Sequence, residues 1–288
     1  MISRPSISER IRALDSSKRD FPGYRTLLDL HGEILEILQS LEDPPYRITR
    51  EKLSEDQLKT LKETALHSKM PIMHFLNSSM FDGEAVLNAV RKIVDCAMRW
   101  RPEAEAMKRL KEALDRNEID SDATIKATMK GDAIWFQNLG ESFGIEPSLL
   151  LFVFSMPFQP FFEELAGRVG EEFMEDWMEL VCPVCGRYSV IARMKDRKRY
   201  MICTFCGAEY LTDQFLCTNC GNRDPNTLGF VSFEEYPEYE INFCEKCNHY
   251  IKVLRESSKN RLIPPGLEDL MTQELDRFAK KELNLFRE

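Results

Sequence analysis

The chain has 288 residues, and 39 lysines and arginines against 48 aspartates and glutamates leave a net charge of −9. Its hydrophobic content of 43% is enough for ordinary cores and excludes wholesale disorder, while the length predicts about two domains. The acidic balance argues against nucleic acid as the partner of the whole molecule, because duplex binding draws on cationic contacts to phosphate.

Residues 1–20 alternate charged and apolar positions and lack the apolar core of a secretory signal. The longest unbroken apolar stretch, residues 149–154, falls far short of the roughly 20 residues that span a bilayer. A cytoplasmic chain without membrane insertion is therefore expected. Nine cysteines in a reducing compartment read as metal ligands or redox thiols rather than disulfides. Eight of them lie between Cys182 and Cys247, and Cys96 alone precedes them.

The cysteine-poor part reads as successive helices. Ser6 and Glu9 have capping-box spacing ahead of Ile7, Ile11 and Leu14. A second helix over 24–41 places Leu27, His31, Ile34, Leu38 and Leu41 on one face and ends at Pro44-Pro45. Ser54 and Gln57 repeat the capping pattern before Leu58, Leu61 and Ala65, and Asp82 caps a helix with Val86, Val90, Ile93, Ala97 and Met98 inward and Pro102 beyond its end. Helical signal continues over 103–114, and over 123–139 it carries Ile125, Met129 and Trp135. Pro147 opens a helix that is apolar on every side over 149–154 and is expected to be buried; Pro157 stops it, and Pro160 opens the next, which leads into Cys182. No glycine-rich phosphate loop, nucleophile elbow or HExxH pair is present, so the chain is not expected to be an enzyme.

After Cys182 the texture changes. Residues 188–192 and 200–202 are β-formers around the polar run 195–198, and 230–233 with 239–243 suggest a second hairpin, separated by Glu234, Glu235 and Pro237. After Pro264-Pro265-Gly266, the residues Leu267, Leu270, Met271, Leu275, Phe278 and Leu283 form one amphipathic stripe. The predicted architecture is α+β: a helical domain over 1–176, two tandem rubredoxin-like or zinc-ribbon modules over 177–213 and 214–255, and a terminal helix over 262–288 that docks on the body.

Four CxxC pairs carry the chemistry: Cys182/Cys185, Cys203/Cys206, Cys217/Cys220 and Cys244/Cys247. Two thiolates at this spacing in a tight turn fill two corners of a tetrahedron, and a second pair across a hairpin fills the others. Gly186, Gly207, Gly221 and Asn248 follow the second cysteines, and these residue types adopt positive φ most easily. Two metal ions, zinc or rubredoxin-type iron, are expected. Sequential pairing, with Cys182, Cys185, Cys203 and Cys206 around one ion and Cys217, Cys220, Cys244 and Cys247 around the other, is preferred over interleaving, which stays open. A thioredoxin-type dithiol is disfavoured because the βαβ context is absent. Cys96 reads as a core hydrophobe, and His249 as a donor behind the ligands. The basic run Arg193, Lys195, Arg197, Lys198 and Arg199 reads as a solvated hairpin tip rather than a phosphate track.

The segments Cys182-Pro-Val-Cys-Gly186, Arg199-Tyr-Met-Ile-Cys-Thr-Phe-Cys-Gly-Ala-Glu-Tyr210, Cys217-Thr-Asn-Cys-Gly221 and Cys244-Glu-Lys-Cys-Asn-His-Tyr-Ile-Lys-Val-Leu254 resemble the formate dehydrogenase accessory proteins of the FdhE family. The terminal segment from Glu268 to Asp276 is also similar, and residues 157–166 are the best local echo in the helical part. The chain departs from the family pattern at Tyr210, where Trp is common, and at Thr212-Asp213-Gln214, where an arginine commonly precedes the third pair. The resemblance implies a cytoplasmic assembly factor for respiratory formate dehydrogenase, with the catalytic subunit as partner and two rubredoxin-like metal sites. A one-electron carrier and a zinc-ribbon nucleic-acid binder are the alternatives.

Overall fold

The computed structural model describes residues 5–41, 47–100, 105–234, 237–255 and 266–286. The predicted stops at Pro44-Pro45 and Pro102, and the loop residues Glu235, Pro264 and Pro265, lie outside the described residues. The fold is α+β: helices come first, then a sheet that carries the cysteine pairs, then short helices at the C-terminal end. It divides into two compact units, Ser6–Gln57 with Met73–Phe161, and Leu58–Ile72 with the residues from Phe162 onward.

The first unit is helical because its caps and stripes agree. Helix α1 (Ile7–Asp20) starts on the predicted capping box, with Glu9 N–H donating to Ser6 Oγ and Ser6 N–H to Glu9 Oε2. Helix α2 (Arg25–Gln39) buries Leu28, Leu35 and Leu38 most deeply, and Leu27, His31 and Ile34 are half-buried beside them. Helix α3 (Glu55–Ser68) follows in the chain, and from Leu58 onward it belongs to the second unit. The side chain of Asp82 accepts from Ala85 N–H at the start of α4 (Gly83–Trp100), whose buried stripe includes Val86, Val90, Ile93 and Cys96. Helix α5 spans Glu105–Asp115. The single helix expected over 123–139 is instead two, α6 (Ser121–Lys130) and α7 (Ala133–Phe143). Gly131, at φ 61°, closes the first, and Asp132 caps the second through Trp135 N–H.

Helix α8 (Pro147–Ser155) begins at the predicted proline but is not buried all round, since Leu149 and Phe152 are 44% and 43% exposed. A 3-10 turn, Met156–Phe158, precedes α9 (Gln159–Arg168). The helical run Pro147–Arg168 is long and apolar enough by length and composition to cross a membrane, and 61% of its most apolar stretch is buried within the protein. The unbroken apolar stretch counted in the sequence is shorter because scattered polar residues interrupt the rest.

In the second unit, α10 (Glu171–Asp176) leads to a six-stranded sheet formed by β1 (Ile191–Lys195), β2 (Lys198–Ile202), β3 (Glu209–Thr212), β4 (Leu228–Ser232), β5 (Tyr239–Cys244) and β6 (Tyr250–Arg255). Its order is β3-β2-β1-β6-β5-β4. The β1–β2 hairpin turns on Asp196 and Arg197, both at positive φ, as two-residue hairpin loops require. Both predicted hairpins are present; β3 and β6 are further strands that were not expected from the sequence pattern. Strand β6 pairs antiparallel with β5 and parallel with β1, so the two ribbons share one sheet.

The terminal amphipathic stripe forms α11 (Glu268–Met271) and α12 (Gln273–Glu282), interrupted at Thr272. Leu275, Ala279 and Leu285 pack with Tyr239, Ile241 and Tyr250 of β5 and β6. Lys252 on β6 lies under these helices with 0% exposure. Its Nζ meets Asp269 Oδ1 at 2.8 Å and Asp276 Oδ2 at 2.9 Å and donates to the Asp269 carbonyl at 3.0 Å. Tyr250 Oη adds a bond to Asp276 Oδ1 at 2.8 Å. Lys252→Met keeps the aliphatic stem and strands the two aspartates, so urea unfolding should show a loss of about 3 kcal/mol, and α12 amides should exchange faster. Wild-type stability and protection would refute this clamp.

Candidate metal centre

Each cysteine pair sits in a turn with the same hydrogen bonds. In the first, Cys182 N–H donates to the Arg187 carbonyl and Gly186 N–H to the Cys182 carbonyl. Cys203, Cys217 and Cys244 repeat this with the carbonyls of Ala208, Asn222 and His249, and Gly207, Gly221 and Asn248 close the turns. The closing residues have φ of 70°, 72°, 72° and 55°. This is the positive-φ geometry anticipated from residue type, which wraps backbone around a sulfur.

The eight cysteines are free thiols gathered into two tetrads, Cys182, Cys185, Cys203 and Cys206, and Cys217, Cys220, Cys244 and Cys247, with the sulfurs of each within 4.8 Å of one another. This is the sequential arrangement. Sulfur separations are 3.5 Å for Cys182–Cys206, 3.4 Å for Cys185–Cys203, 3.6 Å for Cys217–Cys247 and 3.8 Å for Cys220–Cys244. A tetrahedron with metal–sulfur bonds of about 2.3 Å has edges of about 3.8 Å, so each tetrad could hold one zinc or iron ion.

The electrostatics also call for a cation. Burial pushes the Cys182 and Cys206 thiols well above the ordinary range, whereas Cys203, bonded by Cys182 and Cys185, falls well below it. A bound dication would hold all four sulfurs of the first tetrad as thiolates. In the second tetrad burial raises Cys217 to about 12. Burial also works against a thiolate at Cys244, but the Asn222 amide and the backbone N–H groups of Cys247 and Lys246 outweigh it and bring Cys244 down to about 7. Asn222 Nδ2 lies 3.4 Å from Cys244 Sγ, and Asn219 Nδ2 lies 3.8 Å from Cys247 Sγ. Cysteine spacing does not point to these amides, although one sits inside the third turn and the other directly follows its closing glycine.

The remaining candidates named from the sequence fall elsewhere. Cys96 is buried, and burial with the nearby Glu33 carboxylate pushes its thiol up to about 11, as suits a core residue. No histidine joins a tetrad among the described residues; His249 contributes its carbonyl to the fourth turn and bridges Phe286. The basic run is not wholly a solvated tip. Arg193 is buried with its guanidinium 3.8 Å from Glu209 and 3.7 Å from Glu268. Arg199 is buried and donates to the carbonyls of Asp213 and Leu216. Burial lowers it to about 10, which leaves it charged at neutral pH. Tyr210, where the family pattern commonly has Trp, is fully buried and bonds Ser189.

A groove of about 760 Å³ crosses the face of the sheet opposite the terminal helices, where Glu240, Asn242 and Ile251 point. Phe215 and Phe230 stand in its walls with 60% and 64% exposure, and Cys217 and Cys244 border it. Cys203→Ala should leave one ion per chain instead of two by elemental analysis and release β2 and β3, since a structural tetrathiolate site supplies on the order of 10 kcal/mol to its module. Two ions retained by this variant would refute the assignment of Cys203.

No family model matches the chain. A curated relative, the protein FdhE homolog of Aquifex aeolicus (strain VF5), is 32% identical over 144 residues, which make up 48% of this chain and 50% of the relative. The chain thus spans about half the length of the curated relative it matches. The crystal structure of the FdhE protein from Pseudomonas aeruginosa matches with a TM-score of 0.59 at 19% identity, covering 96% of this chain and 92% of that one, which shows a common fold. The curated relative bears out the resemblance to the FdhE family carried by the cysteine segments, and the crystal structure bears out the fold.

Proposed function

We propose that this chain is a cytoplasmic, non-catalytic accessory protein in the maturation of respiratory formate dehydrogenase. It binds the catalytic subunit through a scaffold held by two metal ions, with Cys182, Cys185, Cys203 and Cys206 as ligands of one and Cys217, Cys220, Cys244 and Cys247 as ligands of the other. The two ribbons, 177–213 and 214–255, form the platform, with a helical domain assigned to 1–176 and a terminal segment to 262–288. The carrying observation is the pair of sulfur tetrads pinned into one continuous sheet, in a chain similar to proteins named FdhE. No nucleic-acid role is assigned, because two of the five cations of the basic run are turned inward to carboxylates and carbonyls.

The groove is where a client segment would lie, because exposed phenylalanines beside a concave face of this size suit an extended apolar stretch. Tagged protein should capture the catalytic subunit of formate dehydrogenase from its own cells, and deletion of the gene should abolish active enzyme. Phe215→Asp with Phe230→Asp should reduce capture at least about tenfold while metal content stays at two ions. Full formate dehydrogenase activity in the deletion strain, with no such subunit captured, would sink the reading. The one-electron-carrier alternative then gains, favoured by the exposed Cys220 of the second tetrad; a reversible absorbance change of iron-loaded protein on reduction would be its signature.

A further inference from the structure

The two tetrads share a turn geometry but not an environment. All four sulfurs of Cys182, Cys185, Cys203 and Cys206 belong to buried residues. In the other tetrad Cys220 is exposed and Cys247 half-buried. The residues between the paired cysteines differ in the same sense. Pro183, Val184 and Phe205 are buried at the first tetrad and only Thr204 is exposed there. Phe205 is covered by the ring of Phe162 at 6.0 Å and by the guanidinium of Arg187 at 3.7 Å. The corresponding residues of the second are Thr218, Asn219, Glu245 and Lys246, and the last three are exposed.

We propose that the Cys217/Cys220/Cys244/Cys247 tetrad is an exchange site that passes its ion to, or takes it from, an external thiolate through Cys220, whereas the other tetrad keeps its ion permanently. This rests on the reading that both tetrads hold metal. An incoming thiol loses its proton to solvent and bonds the ion through sulfur; the metal bond to Cys220 breaks, and Cys220 Sγ takes up a proton. The ion keeps its charge and its four sulfur ligands throughout. Ligand exchange needs room for the incoming group and a leaving sulfur that water can receive, and Cys220 meets both needs. The amides of Asn222 and Asn219 hold Cys244 and Cys247 meanwhile and share their charge.

The test uses the full chain loaded with zinc, the chromophoric chelator 4-(2-pyridylazo)resorcinol, and N-ethylmaleimide with mass-spectrometric mapping. Release should be biphasic, with one ion lost at least on the order of tenfold faster than the other. Alkylation quenched after the fast phase should mark Cys217, Cys220, Cys244 and Cys247 and spare the first tetrad. Equal rates for both ions, or early label on Cys182 to Cys206, overturns the assignment. The starting content judges the underlying reading separately. One ion held by the first tetrad, with all four cysteines of the second labelled at the start, refutes the two-ion reading and the exchange site with it, whereas two ions released at equal rates overturn the exchange site alone; one ion held by the second tetrad overturns both.

Discussion

Eight thiol sulfurs lie within two clusters so tight that they cannot all be charged without a cation, and the sheet is built around that constraint. The second turn joins the end of β2 to the start of β3, and the fourth joins β5 to β6. Two of the four cysteine turns are therefore also strand connections. A ribbon of this size has little apolar interior to set against chain entropy. Four metal–sulfur bonds to an ion in each tetrad would supply that missing cohesion.

The parallel pairing of β1 with β6 makes the two tetrads parts of one object. Two buried cations complete the connection. Arg193 of β1 reaches Glu209 of β3 and Glu268 of α11, while Lys252 of β6 reaches Asp269 and Asp276 beneath the terminal helices. Breaking a buried pair costs far more than forming it contributes, so such charges mainly penalise wrong arrangements. They fix which strand lies under which helix, a choice that apolar packing alone leaves loose.

What the sequence discloses is local, and what it conceals is not. The turns at Gly186, Gly207, Gly221 and Asn248 are legible because residue type and cysteine spacing act within five residues, and the capping box of α1 for the same reason. The β1–β6 pairing joins residues about sixty positions apart and leaves no local mark. Lys252 looks like one more polar residue in a β-forming run because its partners lie 17 and 24 positions further on. The Gly131-Asp132 break is a readable cap pair, but the longer apolar pattern running through it points to one helix. On α2 the adjacent Leu27 and Leu28 allow two faces, between which only tertiary packing decides.

The unequal surroundings of the tetrads bear on where this molecule meets others. The helix-covered face of the sheet is filled by Leu275, Ala279 and Leu285, and Arg193 and Arg199 of the basic run are committed to internal partners. The open sulfur of Cys220 and the exposed Phe215 and Phe230 belong to the second ribbon, and the groove bordered by Cys217 and Cys244 lies between them and the β1–β2 hairpin. The exposed Asn219, Glu245 and Lys246 leave that tetrad open to solvent, whereas Pro183, Val184 and Phe205 cover the other. A fold that needed metal only as a rivet would gain from sealing both. Leaving one open would cost kinetic stability at that site, and under the proposed function a client seated against Phe215 and Phe230 would lie beside the more open tetrad.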